Sequence, residues 1–202
     1  MTKVNSKTAS IGLRAKTGRA IAVVLSDRPD SPGVLKRAVL TLTDPAVPAT
    51  FQPYHEVMDL PWEQAQVAVR KTTALIEKAA SKSLRRLVQE VQSEGFKVAS
   101  VGIVGAGTRN LEKIGSTHIR AHAAEGVLFR QVLQTAAELN GLKSRALDER
   151  TLDETAAAEL GLKPQRLKGQ LAEMGREAGP PWRADEKAAA TAAWLALAAR
   201  KQ

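Results

Sequence analysis

The sequence predicts an α/β fold: a five-stranded mixed sheet, three antiparallel strands then two parallel ones, with helices on both faces. Short apolar runs punctuated by turn residues fill residues 8–43, as expected of a meander. A helical period runs through residues 62–94, and a continuous apolar run at 97–104 is followed by a second helical stretch and another short apolar run. The composition agrees, because 44% of residues are hydrophobic but only 3% aromatic, which suits helices packed closely on a sheet.

Residues 9–14 and 19–25 are apolar runs separated by Ala15, Lys16, Thr17 and Gly18, the pattern of a hairpin. Residues 27–33 hold two Pro and one Gly, a strong turn signal, and residues 34–42 alternate well enough for a third antiparallel strand. Residues 44–61 contain four Pro without periodicity and read as a long ordered loop crossing to the next layer. Residues 62–94 lack Pro and Gly. Leu84, Leu87, Val88 and Val91 recur there at i, i+3, i+4 and i+7, so one long helix or two in series is expected. Gly95 stops it, and residues 97–104 form a small apolar run suited to a central parallel strand buried on both faces. Residues 118–140 read as a helix ended by Asn140 and Gly141, and 143–147 as a short strand. Residues 152–174 read as helices broken near Gly161 and Pro164, and the Ala-rich stretch 183–200 as the closing helix.

One core is expected over residues 1–202: the meander at 8–43, the loop at 44–61, a helix–strand–helix–strand unit at 62–147 and a helical part at 152–202. Two right-handed crossovers after the meander give the mixed sheet. There is no Cys, which excludes disulfides, thiolate metal sites and Cys nucleophiles and fits a reducing compartment. Residues 1–10 are polar and basic, and no stretch reaches the ~18 apolar residues of a membrane span, so the expectation is a cytoplasmic protein with no membrane partner. The formal charge of +9 draws the chain towards polyanions at low salt, with DNA or RNA the partners in view, although charge alone carries no specificity.

This element order, with Ile11, Gly12 and Leu13 opening the first strand and Gly18 closing its turn, resembles RNase H-like proteins. Within them it resembles the Holliday-junction resolvases of the RuvC type. Residues 121–133 match that family's small-residue helix after the fourth strand, and residues 162–175 and 184–198 look like its last two helices. The resemblance implies a nuclease whose carboxylates hold two divalent ions about 4 Å apart beside a phosphodiester. It also implies homodimers by analogy. The family's first-strand Asp falls on Arg14 and its fourth-strand acid near Val104, and neither side chain can ligate magnesium. In the last helix Asp185 matches, with Glu186 beside it, but one turn later stands Ala188. One of four expected carboxylates survives.

The resemblance therefore implies a catalytically degenerate domain that binds nucleic acid or serves in assembly, with no cofactor. Magnesium or manganese enters only if nuclease activity is retained. Arg14 either places positive charge where a metal would sit, which suits a bound phosphate, or points to solvent at a strand end. Basic residues cluster at Arg14, Lys16 and Arg19 and at Lys163, Arg166 and Lys168. Of these Arg14, Lys16, Arg19, Lys163 and Lys168, together with Arg109, are the candidate nucleic-acid or phosphate contacts, whereas Lys82, Arg85 and Arg86 suit a solvated helix face. A rival class is nucleotide binding at Gly105 and Gly107 after a strand, helped by Arg109 and Lys113, but Asn110 stands where a third glycine belongs. His118, His122 and Glu125 share a helix face at zinc-compatible spacing, yet Ile119 follows His118 where a metalloprotease has Glu, and Arg120 adds positive charge. A surface helix with scattered polar groups is the simpler reading, and no metal ligand is assigned. His55 and Glu56 are weaker still as an acid–base pair. Trp182 either stacks on a base or staples the last helix to the core.

Overall fold

Strand β1, Lys7–Lys16, turns back into β2, Arg19–Ser26, through Thr17 and Gly18 alone, with Lys16 opposite Arg19. Ala15 and Lys16 belong to the strand rather than to the turn, and Gly18 supplies the positive φ of 74° that so short a turn requires. β3, Gly33–Thr41, pairs antiparallel with β2. The computed structural model describes residues 7–28, 32–105, 107 and 110–199.

The helical segment after the loop is two helices in series, α1 (Trp62–Ala68) and α2 (Arg70–Ser93), jointed at Val69. β4, Phe96–Gly105, lies parallel to β1, and β5, Lys143–Asp148, lies parallel to β4. Between them runs α3, Thr117–Leu139, whose first turn is capped by Ser116 accepting from the Ile119 N–H. Then follow α4 (Leu152–Glu159), α5 (Pro164–Ala178) and α6 (Ala184–Ala198). The sheet order is β3-β2-β1-β4-β5, so the expected meander and two parallel strands are present, with β4 central among the parallel ones.

Both faces of the sheet are covered, which explains why its central strands read as unbroken apolar runs. Ala9, Ile11, Leu13 and Ala15 point into a core shared with α2 and α3. The alternate residues Ser10, Gly12 and Arg14 face α6. Helix α6 lies so close to the sheet that a Cβ at Gly12 would sit 1.7 Å from the Ala189 carbonyl oxygen, and one at Gly102 would sit 2.2 Å from that of Ala192. Gly12 and Gly102 are register partners, as are Ser10 and Ser100. The Ser10 and Ser100 hydroxyls donate to the Ala193 and Ala196 carbonyls at 2.5 and 2.8 Å. From Ala189 to Leu197 every residue of α6 is buried, because α4 and α5 cover its outer side. That is why α6 is alanine-rich rather than amphipathic.

No helix among the described residues is long and apolar enough to cross a membrane. Lys82, Arg85 and Arg86 lie on the exposed side of α2, with Arg86 paired to Glu90 at 3.1 Å, as a solvated face predicts. Trp182 donates its indole N–H to the Leu171 carbonyl at 2.8 Å and packs on Gly175, so it staples the chain between α5 and α6.

Candidate functional site

Strands β1, β4 and β5 run parallel and end at one edge of the sheet, where Arg14, Val104 and Leu147 form one register row and Gly105 and Asp148 the next. In open α/β sheets this carboxyl edge is where side chains converge on a ligand. Arg14 does not point to solvent: its side chain is only 9% exposed. Its guanidinium lies 2.5 Å from Glu149 Oε1 and, through Nε, 3.5 Å from Asp185 Oδ1. Lys16 Nζ reaches the same Asp185 oxygen at 3.4 Å. The charge expected at Arg14 is present, but it is shared between two carboxylates.

Asp185 stands in the first turn of α6, where a carboxylate is favoured by the helix dipole. Its neighbour Glu186 does not reinforce it, because Glu186 Oε2 accepts from the Arg183 backbone N–H at 2.8 Å and closes the helix start. Asp148 Oδ1 accepts from the Arg150 N–H at 2.9 Å in a tight local turn. Beside this edge a cavity of about 450 Å³ is lined by Glu149, Arg150, Asp153, Lys168, Lys187 and Thr191 among others. Lys168 thus lines the same cavity as Glu149, the partner of Arg14. Arg19 and Lys163 are exposed, Lys163 at the start of α5, and neither lines the cavity. Arg109 lies outside the described residues. Across the edge and cavity, Arg14, Lys16, Arg150, Lys168 and Lys187 face Asp148, Glu149, Asp153 and Asp185, so the cleft is close to neutral.

The Gly105–Gly107 loop is poorly arranged for a phosphate. A Cβ on Gly107 would sit 2.1 Å from Asp148 Oδ2, which places a carboxylate against the backbone a pyrophosphate would approach. Gly105 packs on the aliphatic part of Arg130.

A second cluster lies at the same end of the sheet, where the loop after β3 meets the start of α3. His55 does not pair with Glu56. Its Nδ1 lies 2.8 Å from Glu125 Oε1, which also accepts from the His55 backbone N–H at 3.3 Å. His118 and His122 complete the group, with ring centroids of the three imidazoles 4.3, 4.6 and 5.1 Å apart. Arg120 lies over the Trp62 ring at 5.4 Å.

Asp148 and Glu149 were not singled out in the sequence, although the expected end of the last strand marks them. For His55 there was no local signal, because its partners lie more than sixty residues away.

The sheet order and the helices on both faces define an RNase H-like fold. Within that class the likeness is to resolvases of the RuvC type. The chain is similar to Thermus thermophilus RuvC, with 13% identity, 96% of each chain covered and a TM-score of 0.53. It is similar to the same protein in complex with Holliday junction substrate, at 11% identity over 96% of this chain and 95% of that one, with a TM-score of 0.56. The yeast mitochondrial Holliday junction resolvase Ydc2 gives 11% identity over 98% of this chain and 84% of that one, with a TM-score of 0.50. At these identities the likeness is one of fold. No protein-family model matches the chain, and no curated protein matches its sequence.

Proposed function

We propose that this chain is a nucleic-acid-binding protein on a RuvC-type fold, in which an arginine–carboxylate cluster stands in place of a phosphodiester-cleaving centre. The observation that carries this reading is Arg14, buried at the carboxyl edge of the parallel strands and shared between Glu149 and Asp185. A pair of divalent cations does not fit these residues. The row Arg14, Val104, Leu147 offers no side-chain oxygen, the two nearest carboxylates are turned onto a guanidinium, and Glu186 is held in a helix cap. Among the described residues no three carboxylates come together as a metal-holding group.

Nucleic acid as the ligand is supported by the charge of +9 and by the solved relative bound to a Holliday junction. The near-neutral cleft directs attention to its rim. Arg19 on the hairpin, Lys163 just before α5, and Arg166 and Lys168 on α5 are exposed cations available to a phosphate backbone, and Arg14 and Lys16 reach it only by giving up carboxylate partners. Nucleotide binding at Gly105–Gly107 is the weaker reading, because Asp148 stands against that loop.

The test is anisotropy binding of labelled four-way junction, duplex and single-stranded DNA in EDTA, with parallel incubation of each substrate in magnesium or manganese. Junction preference at physiological salt without cleavage is the expected result. Metal-dependent cleavage lost in Asp185→Ala would establish an active nuclease instead. Weak, equal binding to all three substrates would leave an assembly role, including self-association as in the homodimer analogy.

A further inference from the structure

The chain has three histidines and no cysteine, and all three histidines meet at one point of the fold. We propose that His55, His118 and His122 form a site for a divalent transition-metal ion of the zinc class, with Glu125 holding His55 in position. This inference does not depend on the nucleic-acid reading.

The ligand atoms of the three imidazoles lie within 4.8 Å of one another. Nitrogens bound to one tetrahedral zinc ion, each at about 2.0–2.1 Å, stand about 3.4 Å apart. Rotation of His118 and His122 closes that gap, and both are exposed residues near the start of α3 with room to turn. Spacing at i and i+4 on a helix directs both rings to the same side. The third ligand comes from the Pro-rich loop, which is why the sequence face of His118, His122 and Glu125 does not describe the site. Glu125 is a fully buried carboxylate and belongs behind the ligands rather than among them.

Glu125 makes the case more than a coincidence of rings. Its Oε1 lies 2.8 Å from His55 Nδ1; a carboxylate accepts there, and in the neutral imidazole that leaves the lone pair on Nε2. That Nε2 atom is buried and has no hydrogen-bond partner among the described residues. A carboxylate on one nitrogen of a histidine that is grouped with two further imidazoles is the outer arrangement found around metal-bound imidazole. Buried polar atoms left without partners are disfavoured, and a cation on Nε2 satisfies this one.

The bracing of the site agrees. Tyr54, next to His55, stacks on Trp62 with centroids 5.5 Å apart, and Trp62 in turn carries Arg120 on its ring. This holds the loop against α3 and engages the one cation on this helix turn that opposed metal binding. Three neutral nitrogen donors favour zinc, cobalt, nickel or copper over magnesium or calcium. With two ligands exposed, the fourth position opens to solvent and takes water or an exchangeable group.

The test titrates the full-length chain, free of any histidine tag, with Co²⁺ and then Zn²⁺. One Co²⁺ per chain is expected, with the visible absorption of a tetrahedral centre and displacement by Zn²⁺. Zinc at a hundredfold excess over its Kd should raise Tm by about 5–10 °C. His118→Ala/His122→Ala, at exposed positions that leave the core intact, should abolish the spectrum and the Tm rise. Glu125→Gln should keep the stoichiometry and weaken affinity about 10–100-fold. Absence of a stoichiometric cobalt spectrum, or an undiminished one in the double variant, would overturn the site.

Discussion

At the residue scale the decisive side chain is Arg14. A buried guanidinium between two carboxylates is stabilising only while its partners remain, and both partners here are partly solvated, with side chains 53% and 34% exposed. Arg14→Ala is therefore expected to destabilise the fold by about 1–2 kcal/mol in urea denaturation, less than the loss of a fully buried pair. Arg14→Asp asks a sharper question, because it sets a third carboxylate beside Glu149 and Asp185. Repulsion should lower Tm in EDTA, and millimolar magnesium should restore it, while the wild-type protein gains nothing from magnesium. A variant indifferent to magnesium would mean that the edge no longer has the shape of a cation site. That Arg14 and Val104 are not acidic was legible in the sequence. The ion pairs of Arg14 were not, because Glu149 and Asp185 reach it from other elements of the fold.

At the scale of elements the critical joint is α6 on β1 and β4. The Gly12–Gly102 pair lets the helix backbone rest on the strand backbone, and the small residues of α6 make the approach possible. A methyl group at Gly12 has no space, since the nearest atoms are main chain rather than a side chain able to turn away. Gly12→Ala should cost about 3 kcal/mol or more, a fall of about 6–12 °C in Tm by calorimetry. A second element pair carries a pH signature. Arg145 on β5 binds Glu159 at the end of α4 through two bonds of 2.6 Å, and these hold the Glu159 carboxyl below its ordinary value of 4.5. The folded value lies below the unfolded one, so the contribution is full above about pH 4.5 and disappears as pH falls through the depressed value. Both side chains are more than one-third exposed, so about 0.5 kcal/mol is expected, and Glu159→Gln should remove it from the acid limb of the stability curve. Elements were the most legible level: turn residues and continuous apolar runs located all five strands, and period and breakers located the helices. The loop after β3 was legible as a loop but not as a carrier of function. Its order rests on contacts such as Thr50, which accepts from the Asp44 N–H at 3.0 Å and approaches the Val47 carbonyl at 2.7 Å, and on Tyr54 against Trp62.

At the scale of the whole molecule, charge and fold give separate information, and the salt dependence of binding distinguishes them. The cleft is close to neutral, so most of the +9 acts from the rest of the surface, as a long-range attraction that any polyanion feels. Such attraction alone fades with salt to the same extent for every substrate. If the exposed cations Lys163, just before α5, and Arg166 and Lys168 of α5 contact phosphates together with Arg19, about four contacts are made, and affinity should fall about 100-fold between 50 and 200 mM salt. Lys163→Ala/Arg166→Ala/Lys168→Ala should then flatten the slope of log K against log salt by about 2.7 and weaken junction and duplex alike, since phosphate contacts position without specifying. Arg14→Ala acts on a different term. It lies where the three parallel strands end, inside the cleft, and should reduce the ratio of junction to duplex affinity more than it changes the salt slope. A slope unchanged by the triple substitution would move the contact surface away from α5. The basic face of α2 at Lys82, Arg85 and Arg86 would then be the surface to substitute, and the likeness of fold to the resolvases would not extend to a shared mode of docking.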